Sequence, residues 1–187
     1  MGKPRLLLHT CCGPCATVCV ERLRPDYDVT LLWFNPNLQP PEEHERRLEA
    51  ARTVASHFGV EMVTLPADER AWRRALEVVP AYEQEPEGGK RCAECMRYRL
   101  QRTAQEAQAR GFAFFDTTLS VSPHKDQRVL NGALRQEAEE RGLTLDYPHM
   151  DYRANAGFQR SLELSKLLEL YRQNYCGCRF SRRDRSA

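Results

Sequence analysis

Three short apolar runs, RLLLHT from Arg5, YDVTLLWFN from Tyr27 and VEMVTL from Val60, are separated by stretches with helical periodicity. That alternation narrows the choice of folds more than any other feature of the chain. A continuous apolar run of strand length suits a β-strand buried on both faces. Parallel strands need crossovers, for which an α-helix is the usual solution. Between the first two runs, PCATVCVERLR sets Ala16, Cys19 or Val20, and Leu23 on one helical face. Between the second and third, PEEHERRLEAARTVASHFG opens with proline and acids, carries Leu48, Ala51, Ala55 and Phe58 as a stripe, and stops at Gly59.

Beyond the third run the same reading continues. DERAWRRALEVV predicts a helix through Trp72, Leu76 and Val79, and PAYEQEPEGGKR reads as a surface loop or lid. A helix is expected from Cys92 to Gly111, a fourth strand at FAFFDTTL, another helix at KDQRVLNGALRQEAEERG, a fifth strand at TLDY and a last helix at GFQRSLELSKLLELYRQ. The chain contains neither internal repeats nor low-complexity segments. With 187 residues and 41% hydrophobic content it can build one α/β domain over 1–187, three-layered with a mostly parallel sheet. Ligands of such sheets bind at the carboxyl ends of the strands, which brings TCCGPC, after the first strand, and TTLSVSPHKD, after the fourth, to one edge.

Eight cysteines raise the possibility of a disulfide framework, but such frameworks belong to short secreted chains without room for a core. The start MGKPRLLLHT is too short an apolar stretch for a signal peptide, and no run approaches a transmembrane span, so a soluble, cytoplasmic protein without membrane contact is expected. In a reducing compartment, clustered cysteines point to metal binding or redox chemistry. Cys19 lies on the apolar stripe with Ala16 and Leu23 and reads as core. The other seven stand in polar turns or at a helix start: Cys11, Cys12 and Cys15; Cys92 and Cys95; Cys176 and Cys178. The C-x-x-C spacing, which occurs twice, turns both sulfurs to one side of a helix start. A closed zinc site uses four ligands and would leave three thiols over. Seven divides better into four plus three: a 4Fe-4S cluster, and thiolates for a second metal with an open position.

Charge is uneven as well. Residues 153–187 carry a net +5 against −3 over residues 1–152, and CRFSRRDRSA alone holds four arginines. Taken alone, segment 179–187 reads as a flexible, solvated tail; next to YCGC it also fits a phosphate-contacting footprint on RNA.

Together LLLHTCCGPC, NPNLQPPEEHERRL, GGKRCAECMRYRL, TTLSVSPHKD and LYRQNYCGCRFS resemble the QueH family of epoxyqueuosine reductases over about residues 5–181. The resemblance implies a fold like the adenine-nucleotide α-hydrolases (HUP, Rossmann-like). It implies a 4Fe-4S cluster beside a second, mononuclear iron, and reduction of the epoxide of epoxyqueuosine in tRNA to queuosine with electrons from an external donor. Cys11, Cys12, Cys92, Cys95, Cys176 and Cys178 match the cofactor-binding motifs directly, and Cys15 fits the first of them. One division of the sulfurs has Cys92 and Cys95 clasping the cluster while the first and last motifs share theirs between both centres.

Candidate proton donors are His124, Lys125 and His9, with Asp116 a further polar group on that edge. Each also has a plainer reading. His9 can be a satisfied strand histidine, Asp116 a backbone partner, and SPHKD a helix start. Tyr175 and Phe180 can stack a base or pack in the core. Three other functions remain open: a PP-loop-like tRNA-modifying enzyme, disfavoured because CCGPC replaces the Gly- and Ser-rich phosphate loop; a non-catalytic zinc or Fe–S RNA-binding protein; and a dithiol oxidoreductase, which leaves five cysteines unexplained.

Overall fold

A computed structural model of the chain describes residues 2–145 and 151–183. Among the described residues its sheet holds four strands, β1 (Arg5–Thr10), β2 (Asp28–Trp33), β3 (Glu61–Thr64) and β4 (Phe114–Thr117), in the order β3-β2-β1-β4 and all parallel. Helix α1 (Gly13–Leu23) connects β1 to β2, and α2 (Pro41–Phe58) connects β2 to β3. Helices α3 (Glu69–Leu76) and α4 (Lys90–Ala109) then lead into β4, followed by α5 (Gln127–Arg141), α6 (Gly157–Leu167) and the short α7 (Arg179–Arg183).

The β1 run is apolar throughout because both faces of the sheet are covered. Leu7 packs with Leu100, Ala104, Phe115 and Leu134 beneath α4 and α5, whereas Leu6 and Leu8 pack with Val18, Leu23, Leu31 and Tyr152 on the α1 side. This makes the fold the expected three-layer α/β arrangement. Gly13 allows α1 and α2 to touch, since a Cβ there would lie 2.5 Å from the Ala50 carbonyl oxygen. Gly59 ends α2 in the left-handed conformation, with φ of 65°.

Several boundaries differ from the sequence reading. The fourth strand stops at Thr117, and Thr118–Val121 form a 3-10 turn, begun when the Thr117 hydroxyl accepts a hydrogen bond from the Leu119 N–H. In TLDY, Thr144 makes one parallel bridge to Phe114, and Asp146 and Tyr147 lie outside the described residues. The expected loop at 80–91 contains a 3-10 turn, Tyr82–Gln84, and already enters α4 at Lys90. The last long helix ends at Leu167 rather than running on to Gln173. Where a flexible tail was expected from 179, residues 179–183 are helical and Phe180 is buried against Trp72 and Tyr82.

The strand order reverses direction between β1 and β4, so the crevice of the sheet opens at their carboxyl ends. Cys11 and Thr118, the residues just past those ends, join the two strands there: the Cys11 N–H donates to Thr118 Oγ1 at 3.1 Å.

Candidate metal centre

The thiols gather at this crevice. Cys11, Cys12 and Cys15 come from the β1–α1 turn and first helical turn, and their sulfurs lie within 4.8 Å of one another. Cys92 and Cys95 occupy the first turns of α4; the Gly88 N–H donates to Cys92 Sγ and the Trp72 indole N–H to Cys95 Sγ, both at 3.3 Å. Cys176 and Cys178 lie on the segment ahead of α7. Lys125 Nζ donates to Cys176 Sγ at 3.3 Å, and the Ser181 N–H to Cys178 Sγ at 3.4 Å. Cys11 Sγ accepts from the Thr118 hydroxyl at 3.3 Å. Donors aimed at sulfur are what thiolate ligands need, so five of the seven motif cysteines are provided for in this way. No cysteine is disulfide-bonded.

Electrostatics separate the thiols into three plus four. Hydrogen bonds from Cys12 and Cys15, with help from Arg99 and Thr118, pull the Cys11 thiol well below its ordinary pKa. Cys12, pushed up to about 12, and Cys15 are raised because each bonds to Cys11. In the second group Cys176 is lowered by its bond with Cys178 and by the charges of Lys125 and Arg99, and burial raises Cys92 and Cys95. Cys176 in turn raises Lys125, with Cys92 and Cys95 adding to the effect, so the ammonium is held charged among these sulfurs. The three sulfurs of the first motif cluster together. Cys19 lies apart in the core, fully buried among Leu6, Leu8 and Val20.

A cavity of about 420 Å³ opens over both groups. Cys11, Cys15, Cys176, Arg99, His124 and Lys125 are among its lining residues. His124 is exposed at this edge and Lys125 half-buried. His9 does not reach it. Its ring is buried in β1, with Nε2–H donating to the Phe34 carbonyl at 3.3 Å and Nδ1 accepting from the Thr117 hydroxyl at 2.9 Å. Burial, reinforced by Arg99, lowers its pKa to about 3, so it stays neutral; its placement makes it a satisfied sheet histidine rather than a proton donor to the cavity. Asp116 is also internal, accepting from the Thr117 N–H at 2.7 Å and the Tyr152 hydroxyl at 2.7 Å. Tyr175 lines the cavity, whereas Phe180 is core.

The sequence matches the family described as epoxyqueuosine reductase QueH over residues 6–184. The epoxyqueuosine reductase QueH of Streptococcus pyogenes serotype M1 is 36% identical over 180 residues, covering 94% of this chain and 69% of that protein. The chain belongs to the epoxyqueuosine reductase QueH family. The QueH protein of Thermotoga maritima is likewise 36% identical, over 96% of this chain and 91% of its own length. Among solved structures, a predicted subunit of tRNA methyltransferase from Methanocaldococcus jannaschii superposes with a TM-score of 0.55 over 84% of this chain and 75% of that one, at 12% identity, and so shows the fold alone. Membership of this family makes the chain an oxidoreductase, an epoxyqueuosine reductase. Among the described residues no helix is long and apolar enough to cross a membrane.

The structure adds residues to this QueH site that sequence reasoning left without a role. Arg47 holds the last motif: Nη1 and Nη2 donate to the carbonyls of Cys176 and Tyr175 at 2.9 and 3.1 Å, while Nε pairs with Glu43 at 2.6 Å. The Gln39 N–H donates to the Gly177 carbonyl at 2.8 Å, so the residues around the start of α2 set the path of residues 175–177. Asn37 is buried at the cavity with both amide atoms unpartnered, and the Gln173 amide oxygen beside Cys12 is also unpartnered. Arg47 and Asn37 stand in NPNLQPPEEHERRL, which carried the resemblance but no chemistry. Arg99 was findable from spacing alone, being four residues after Cys95 and seven after Cys92 on one face of α4.

Proposed function

We propose that this chain reduces the epoxide of epoxyqueuosine in tRNA to the alkene of queuosine, using a 4Fe-4S cluster and an adjacent mononuclear iron held by the seven motif cysteines. The observation that carries the reading is the gathering of three and four thiols on one crevice, most of them met by N–H or O–H donors. The donor set is all sulfur, which suits iron–sulfur centres better than hard-cation sites. The unpartnered Asn37 amide and Gln173 oxygen leave polar capacity beside the sulfurs for an added group.

In this reading Cys92, Cys95, Cys176 and Cys178 hold the cluster, and Cys11, Cys12 and Cys15 hold the iron. Bound there, these groups supply single electrons from an external donor and a Lewis-acid position for the epoxide oxygen. Epoxide reduction to an alkene consumes two electrons and two protons and releases water. The Lys125 ammonium, charged and facing the cavity, stabilises negative charge as the C–O bond breaks. His124, exposed at the same edge, delivers a proton from solvent. The cavity volume suits a single nucleoside, so the modified base leaves its stack to enter. Arg172, exposed and lining the cavity, supplies a phosphate contact at its edge. We place the reaction in the cytoplasm, where tRNA is modified and thiols stay reduced.

Anaerobic purification followed by iron, zinc and sulfide assay and incubation with epoxyqueuosine tRNA tests this. About five irons and four sulfides per chain, a brown colour bleached by dithionite, and formation of queuosine are expected. Stoichiometric zinc without sulfide, and no conversion after iron and sulfide reconstitution, overturns it.

A further inference from the structure

Three arginines among the described residues are buried almost completely. Arg47 pairs with Glu43 and two carbonyls; Arg91 donates to the carbonyls of Tyr82 and Glu85 and lies 4.3 Å over the Phe180 ring, with its Nη2 left without a partner. Arg99 is different. It is 3% exposed, one Nη donates to the amide oxygen of Asn35 at 2.5 Å, and Nε has no partner. Among the described residues no carboxylate pairs with it. A guanidinium removed from water without a counter-charge costs far more than one amide hydrogen bond returns, so an anion is to be sought nearby. Among the described residues the candidates are sulfurs: Arg99 lines one cavity with Cys11 and Cys15 of the first group and Cys176 of the second.

Its placement is built, not incidental. The i, i+3, i+7 spacing of Cys92, Cys95 and Arg99 puts the guanidinium on the sulfur-bearing face of α4. Asn35, just past the end of β2, fixes it from the other side by donating to the Thr10 carbonyl at 2.9 Å, immediately before Cys11. Arg99 therefore spans the gap between the two thiol groups, tied to the backbone that carries one and the helix that carries the other.

We propose that Arg99 is the internal counter-cation of both thiol groups, a positioning residue that neutralises their anionic metal-bound form and raises the reduction potential of the centre. The inference rests on the iron–sulfur reading above. The reduced centre carries one more negative charge than the oxidised one, the electron coming from an external one-electron donor, and a fixed cation beside it favours that state. Arginine suits the place because it stays charged when buried.

The test is an anaerobic dithionite titration, followed optically, of wild type, Arg99→Lys and Arg99→Met after reconstitution with iron and sulfide, with iron and sulfide counted in each. Arg99→Met should shift the redox equilibrium at least tenfold toward the oxidised form, a fall of 59 mV for a one-electron couple, and Arg99→Lys should restore most of it. If Arg99→Met remains folded by circular dichroism but loads no iron while Arg99→Lys loads fully, the counter-cation role is also supported. A wild-type potential in a fully loaded Arg99→Met overturns the proposal, and a raised KM for tRNA in that same variant would assign Arg99 to a substrate anion instead. Loss of loading in both variants overturns it too, because a lysine beside these sulfurs keeps its charge, as Lys125 does. Failure of wild type to take up iron and sulfide would refute the centre itself, and is read separately from either variant.

Discussion

Lys125 shows how one residue's chemistry follows from its neighbours. An ammonium beside Cys176, with Cys92 and Cys95 close enough to reinforce the effect, does not readily lose its proton, so it acts as a fixed charge and not as a titrating acid. Replacing it by Met should lower kcat for epoxyqueuosine reduction about 100-fold, with iron content and thermal unfolding unchanged, and Lys125→Arg should recover part of the loss. Single-turnover assays with equal iron loading check this. His44 offers a contrast away from the site. Its Nε2 accepts from the Trp33 indole N–H at 3.0 Å, which requires the neutral ring, and burial lowers its pKa. The unfolded chain, with histidine near 6.5, binds that proton first as pH falls. Stability from this contact is therefore complete above about 6.5 and is lost as pH drops below it. Denaturant melts between pH 7 and 5 should show a shallower decline in His44→Gln, whose amide oxygen can still accept from Trp33.

At the scale of elements, the decisive contact is between the start of α2 and the segment carrying Cys176 and Cys178. Gly177 sits at φ of 101°, and a Cβ on it would lie 2.5 Å from Leu38 Cδ2 and 2.8 Å from Arg47 Cζ. Both the backbone conformation and the space demand glycine. Gly177→Ala should cost about 2–4 kcal/mol from strain and overpacking, and should release iron–sulfur content even where the sheet stays intact. Circular dichroism with iron assay separates local from global loss. Arg47 explains why a segment without regular structure can hold ligands in place, since its two terminal nitrogens satisfy carbonyls that would otherwise be buried without partners.

In the molecule as a whole, the thiol groups are drawn from the two ends of the chain and its middle: the β1–α1 turn, the start of α4 and the segment before α7. A cluster held by Cys92, Cys95, Cys176 and Cys178 would tie the C-terminal segment to α4. Ligands that bind only the folded state stabilise by mass action, about 4 kcal/mol at a thousandfold excess over Kd. Removing iron by chelation under reducing conditions should then lower Tm by roughly 8–16 °C for a domain of this size. Differential scanning calorimetry of loaded and stripped protein checks it, and an unchanged Tm would mean that no metal centre joins the C-terminal segment to α4.

The alternation of strands and helices was legible in the sequence because it is written in local periodicity: the leucines of β1, the stripe of α2 and the stop at Gly59 each act over a few residues. The separation of Cys19 from its seven relatives was legible for the same reason, since a stripe of Ala16, Cys19 and Leu23 is a helix-face pattern. Strand lengths were less so, because hydroxyl groups such as that of Thr117 end β4 by bonds that periodicity does not show. The fate of His9 and Phe180 was decided only in three dimensions, where Phe34, Thr117, Trp72 and Tyr82 come from distant stretches to close around them. So was the grouping of the thiols into three and four. Local sequence placed sulfur at strand ends and helix starts; which sulfurs meet depends on the β3-β2-β1-β4 order and the Arg47 clasp, which join segments more than a hundred residues apart, and no local pattern encodes that proximity.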